Sequence, residues 1–127
     1  MPKKLKPLKS LKKKAWKLQS LWLREKAANF QGYAPCFTCE KLFPWKELQV
    51  GHFHHGKLDF DLRNLKLQCI ACNHYRSGNL GVYGIKLYRI YGLDWLKELE
   101  KDANKKGNDY SRKELEEIIE KYGRKNK

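Results

Sequence analysis

A chain of 127 residues carrying a formal net charge of +14 and 41% hydrophobic residues is enough for one domain and too little for a large core. No apolar run reaches membrane-spanning length, and the lysine-rich start has no apolar segment behind it, so a transmembrane segment and a signal peptide are both excluded and a cytoplasmic protein is expected. Residues 1–93 hold 18 Lys/Arg against 5 Asp/Glu, whereas residues 94–127 hold 10 against 9. So lopsided a charge calls for a polyanionic partner, and the 13% aromatic content favours nucleic acid over a membrane surface.

Residues 1–9, with Pro2 and Pro7 among lysines, read as a flexible basic arm. Ser10 is a suitable N-cap, and Leu11, Ala15, Leu18 and Trp22 then recur at helical spacing. A basic amphipathic helix is expected within 10–30, ending near residue 29, with Lys12, Lys13, Lys14 and Lys17 on its wetter face. That face is either simply solvated or tracks phosphates. Residues 1–17 hold eight lysines and no acid, which favours phosphate contact for Lys12, Lys13 and Lys17.

Gln31-Gly32-Tyr33-Ala34-Pro35 breaks the helix and opens a central segment, 31–80. A turn carrying Cys36 and Cys39 should occupy 36–45, and Leu48-Gln49-Val50-Gly51-His52-Phe53 reads as a strand. Gly56-Lys57 offers a turn, 58–60 could begin a return strand, and the chain from Cys69 to about Ser77 could form a short helix stopped by Gly78. The remainder, 81–127, belongs to a C-terminal helical region. Helices are expected over 80–91 and 93–104, separated by Gly92, and over 112–122, opened by the capping box Ser111-x-x-Glu114 and closed by Gly123. On the last, Leu115, Ile118, Ile119 and Tyr122 form an apolar face suited to a core or a subunit contact. The fold class is therefore α+β, mostly helical, with a small metal-bound core between N-terminal and C-terminal helices.

Cys36-x-x-Cys39 and Cys69-x-x-Cys72 carry the strongest signal. Two such pairs suit four thiolates on one Zn2+ better than disulfides, and four thiolates close a tetrahedral site, so this zinc would be structural.

The order C-x-x-C, Gly51-His52, Asn64, then Cys69-x-x-Cys72-Asn73 resembles the zinc-stabilised HNH, or ββα-metal, nucleases. Val50-Gly51-His52-Phe53, Phe60-Asp61-Leu62-Arg63-Asn64, Gln68-Cys69-x-x-Cys72-Asn73 and Ser77-Gly78-Asn79-Leu80, with Tyr83 beyond, look like the phage NinG/Rap recombination nucleases. The resemblance runs from about Cys36 to Leu99 and leaves the N-terminal helix outside. The cysteine-to-asparagine order is also similar to the phage junction resolvase endonuclease VII. What the resemblance implies is a strand–loop–strand–helix site holding one catalytic divalent cation, Mg2+ or Mn2+, and cleavage of branched DNA such as Holliday junctions in the bacterial host cell. Two cuts per junction imply a homodimer.

On that resemblance His52 is the general base, Asn64 clamps the hairpin that positions it, and Asn73 offers an amide oxygen to the cation. Many nucleases of this class have Asp, Glu or His just before the base, as a second metal ligand; here that place is Gly51. Asp61 heads the candidates to replace it, with His54, His55 and His74 behind. Arg63, Lys66, Arg76 and Lys86 are expected phosphate contacts. Two other functions stay open: a less selective nicking endonuclease of the HNH type, and a non-catalytic zinc module that binds DNA.

Overall fold

The computed structural model describes residues 5–105 and 109–125; the first four residues of the expected basic arm lie outside them. In chain order the elements are α1 (Leu8–Ala27), β1 (Tyr33–Pro35), β2 (Leu42–Pro44), β3 (Gln49–His52), β4 (Leu65–Gln68), α2 (Leu80–Tyr91), α3 (Leu93–Ala103) and α4 (Arg112–Lys125). Short 3-10 turns at Trp45–Glu47 and Leu62–Asn64 and a π-helical turn at Ala71–Tyr75 fill the connections. The class is α+β and mostly helical, as the periodicities indicate.

The long helix α1 starts two residues earlier than its Ser10 cap signal. Pro7 is its N-cap, and its carbonyl receives the amides of Ser10 and Leu11 at 3.0 and 3.2 Å. Proline suits a helix start, where its missing N–H has no partner to lose. Leu11 and Ala15 are buried against Phe60 and Leu115, with Trp16, Tyr110, Ile118 and Ile119 packed around them. The apolar stripe of α4 is therefore core, laid against α1, and not a free subunit contact. Ser111 and Glu114 form the expected capping box: each side chain accepts from the other's backbone N–H, at 3.0 and 3.2 Å. Gly123 does not end α4, which runs to Lys125, because Gly123 stays helical beside Leu18.

Two antiparallel hairpins form the β layer. In the first, Tyr33 pairs with Pro44 and Pro35 with Leu42, so the turn holding Cys36 and Cys39 spans only 36–41 and not 36–45. The second pairs β3 with β4, Gln49 opposite Gln68 and His52 opposite Leu65. The return strand is thus 65–68 and not 58–60. Leu58 and Phe60 cannot serve as a strand because both point inward, Leu58 into a core with Tyr83, Leu87 and Leu99, and Phe60 into the α1–α4 core. A single loop, 53–64, is pinned into two cores at once. The third cluster packs Ala34 and Leu48 around Cys36, Cys69 and Cys72.

Candidate metal centre and hairpin site

The four cysteine sulfurs lie within 4.8 Å of one another, with Cys39 Sγ 3.8 Å from Cys69 Sγ. Sulfurs about 2.3 Å from a tetrahedral zinc stand about 3.8 Å apart, so the cluster fits a Zn2+. Burial alone would raise the Cys36 thiol, yet the Cys39 N–H and the Thr38 hydroxyl pull it down to about 6. Burial and the sulfur of Cys36 push Cys39 up to about 12. Four sulfurs in this space cannot all ionise unless a cation joins them. Asn79 Nδ2 donates to Cys72 Sγ at 3.8 Å and the Cys39 N–H to Cys36 Sγ at 3.5 Å, which favours thiolates.

The same cysteines deliver the next piece. The π-helical turn begins just after Cys69, and the Asn73 N–H bonds the Cys69 carbonyl at 2.9 Å. Left-handed residues at Ser77, Gly78 and Asn79 then reverse the chain into α2. That turn is where the Ser77-Gly78-Asn79 motif acts. Tyr83 on α2 reaches back, its hydroxyl 2.9 Å from the Gly51 carbonyl and 3.2 Å from that of Asn64.

Asn64 is fully buried and bridges the loop in both directions. Its Oδ1 accepts from the His54 N–H at 2.8 Å, and its Nδ2 donates to the carbonyls of His54 at 2.7 Å and Leu58 at 3.0 Å. No oxygen or nitrogen of its side chain is left over, and the amide cannot flip, because both carbonyls only accept. The loop after His52 is held by this one side chain.

His52 ends β3 and its ring stacks on Trp16 of α1, centroids 4.5 Å apart and planes 28° from parallel. Its Nε2 lies 3.0 Å from the Asp59 carbonyl oxygen. A carbonyl cannot donate, so Nε2 carries the hydrogen and a neutral ring has its lone pair on Nδ1. Burial, the largest influence, pushes His52 below the ordinary histidine value, keeping it neutral at pH 7. The ring borders a cleft of about 310 Å³ lined also by Lys9, Lys12, Lys13, Trp16, His55 and Asp59.

Alternation along β3 puts Gln49 and Gly51 on the face opposite Val50 and His52. On that second face Asn73 Nδ2 donates to Gln49 Oε1 at 2.9 Å. Gln68, fully buried, donates from Nε2 to Thr38 Oγ1 at 3.1 Å and the Gly78 carbonyl at 2.7 Å, while its Oε1 has no partner. Asn73 thus stands on the Gln49 and Gly51 face of the hairpin and His52, by the alternation, on the other.

The remaining expected residues separate into two groups. Asp61 accepts from Arg63 Nη2 at 2.6 Å and caps the turn after it through the Arg63 N–H at 2.9 Å. Burial would raise its carboxyl, but Arg63 holds it below the ordinary value. Arg63 also reaches Asp102 at 3.0 Å, tying the loop to α3. Asp61 and Arg63 therefore close on each other and α3. Lys12 pairs with Asp109 at 3.0 Å and Asp59 at 3.4 Å; the sequence-local absence of acid near it is filled by residues distant in the chain. Lys86 pairs with Glu40 at 2.8 Å, and Lys66 lies against the Tyr91 ring and donates to its hydroxyl at 2.5 Å. Lys13, Lys17 and Arg76 are exposed. His54 contacts Glu100, His55 stands beside His52 at 5.2 Å between centroids, and His74 is exposed next to Tyr75.

Trp16, Asp59 and Gln68 were not expected at the site. Only Gln68, fixed directly before Cys69, carried a local signal.

A zinc-type cysteine cluster buttressing a clamped hairpin, with a histidine at its strand end, defines a small metal-centred module. The sequence model of a family described as Bacteriophage Lambda NinG protein matches residues 2–127. The chain belongs to the NinG family. Since the match starts at residue 2, α1 falls inside the family's extent and not outside it. Protein ninG of Escherichia phage 933W is 28% identical over 106 residues, 75% of this chain and 52% of that protein. The Salmonella phage P22 protein is 29% identical over 103 residues, covering 72% and 50%, and that of Escherichia phage lambda 27% over 106, covering 75% and 52%. The chain thus spans about half the length of these relatives. No solved structure matches it. Among the described residues no helix is long and apolar enough to cross a membrane.

Proposed function

We propose that this chain is a metal-dependent, structure-selective DNA endonuclease that cleaves branched recombination intermediates such as Holliday junctions. β3, its loop, β4 and the turn carrying Asn73 would be the ββα-metal core of the HNH class. The observation that carries the proposal is the tautomer of His52: Nε2–H donates to the Asp59 carbonyl, leaving Nδ1 as a lone-pair base on a neutral ring.

In this scheme Nδ1 of His52 takes a proton from the attacking water while Asn64 keeps the loop from shifting. Asn73 Oδ1 would hold the divalent cation, Mg2+ or Mn2+, which when bound relieves charge on the phosphate and on the leaving 3′ oxygen. The four cysteines would hold Zn2+, which would keep the turn bearing Asn73 in place. The exposed Lys13, Lys17 and Arg76 would track the DNA backbone, and Lys66 and Lys86 would join them only by giving up their present partners. The working unit would be a homodimer, since a four-way junction needs two cuts; sedimentation of the zinc-loaded protein as a monomer at assay concentration would contradict it. Such a substrate places the protein in the cytoplasm of the bacterial host.

A second reading is kept by the hairpin geometry. With His52 and Asn73 on opposite faces, the same module could bind DNA through its basic surface without cutting it. A labelled four-way junction and a matching linear duplex, each with Mg2+ or Mn2+, separate the readings. Cleavage of the junction well ahead of the duplex supports the proposal. Equal cleavage of both makes the chain a general nicking enzyme of the HNH type, and junction binding without cleavage makes it a binding module.

A further inference from the structure

The place before His52, where many HNH nucleases carry a metal-binding side chain, is Gly51. Backbone strain does not demand glycine there, because Gly51 is not among the positive-φ residues. Space does. A Cβ on Gly51 would lie 1.8 Å from Gln68 Oε1 and 3.1 Å from Asn73 Oδ1. Two amide oxygens thus converge on the volume that a side chain at position 51 would fill.

The Gln68 oxygen is fixed in that direction, and the bond to Gln49 turns the Asn73 oxygen the same way. Gln68 Nε2 faces the Gly78 carbonyl, which only accepts, so the amide cannot be turned round, and Oε1 is left against Gly51. Asn73 Nδ2 is bonded to Gln49, which leaves Oδ1 on the Gly51 side. Gln68 Oε1 is buried without a donor, a state native proteins rarely leave uncompensated. Two facing acceptors with no hydrogen between them repel, and a cation between them reverses the sign. Neutral amide oxygens are hard ligands suited to Mg2+ and Mn2+ and not to zinc.

We propose that Gln68 supplies, through Oε1, the second protein oxygen for the divalent cation held by Asn73, in place of the side chain missing at Gly51. The inference rests on the proposed catalytic cation at Asn73. With two neutral protein ligands the site is weak in the free protein, and the remaining positions go to water and phosphate oxygens.

The test is Mn2+ added to zinc-loaded, 15N-labelled protein without DNA, read by paramagnetic broadening of side-chain NH2 signals. The NH2 groups of Asn73 and Gln68 and the Gly51 amide should broaden first. In Gln68→Met, which keeps the length and loses the oxygen, broadening at Asn73 should need at least about tenfold more Mn2+. Gly51→Ala, whose Cβ displaces Oε1, should show the same shift with zinc content unchanged. If one variant loses its dispersed spectrum, the other decides. Asn73 broadening at the same Mn2+ in wild type and the folded variant would overturn the role of Gln68 while leaving the nuclease proposal standing. Mn2+ broadening elsewhere in a protein that still cuts junctions would overturn it too. No broadening and no cleavage would remove the catalytic cation itself, and this inference with it.

Discussion

His52 Nε2 donates across 3.0 Å to the carbonyl of Asp59, seven residues further along the chain. The bond selects the tautomer, and the loop that presents Asp59 is held by Asn64 and by Leu58 and Phe60 in two separate cores. Orientation of the base thus depends on packing far from it.

The pH dependence of cleavage should carry that signature. Burial lowers the His52 pKa, so the acid limb of the rate profile should fall below the ordinary histidine value of about 6.5, with a plateau through neutrality. The sign for stability agrees. A folded pKa below the unfolded one means the unfolded chain binds the proton more readily, so this contribution is complete above about pH 6.5 and is lost as pH falls through the folded value. A pH–rate series with wild type, and denaturation with and without His52→Ala, measure the two separately.

Asn64→Ala should cost about 2 kcal/mol in urea unfolding, since it strands the half-buried N–H and carbonyl of His54, whereas the Leu58 carbonyl keeps the Asp61 N–H at 3.1 Å. Asn64→Asp keeps the acceptor for the His54 amide and loses both donors, so it should remain clearly destabilised. A loss below about 1 kcal/mol for both would mean that water or the neighbouring backbone replaces the clamp.

Zinc analysis of the purified protein should give about one zinc per chain. Stripping it with a strong chelator should unravel the first hairpin and the turn bearing Asn73, seen as a large drop in the melting temperature. Cys69→Ser should reproduce most of that effect. Full thermal stability without metal would reduce the cluster to four packed thiols.

The lysines of α1 should not behave alike. Lys13→Ala and Lys17→Ala should each weaken DNA binding and lower the salt slope by about one. Lys12→Ala should change the slope less, because Asp59 and Asp109 already neutralise that ammonium. Equal slopes for all three would place Lys12 on the DNA as well.

How much the sequence disclosed depends on distance along the chain. The cysteine spacing, the capping box at Ser111, the Gly92 break and the helix periods are local signals, and each has its structural counterpart. Helix α1 starts at Leu8 and not at Ser10 because the Pro7 carbonyl accepts the Ser10 and Leu11 amides, which carries the helix back past the serine. The return strand moved to 65–68 because Leu58 and Phe60 are hydrophobic for two different cores, which a period of two cannot distinguish from one strand face. Partners far apart in sequence had no local mark at all. Asp102 completes the Arg63 clamp from α3, Trp16 reaches His52 from α1, and Asp109 meets Lys12 from the far end of the chain. Gln68 lies beside Cys69 in plain view, but its importance comes only from the missing Cβ of Gly51 across the hairpin.

The most direct measurement is the rate of four-way junction cleavage by zinc-loaded wild type and His52→Ala in saturating Mn2+. We expect wild type to cut, and the variant, with zinc content and junction affinity unchanged, to be slower by about 10²-fold or more. Cleavage by His52→Ala at the wild-type rate would contradict the assignment of Nδ1 as the base.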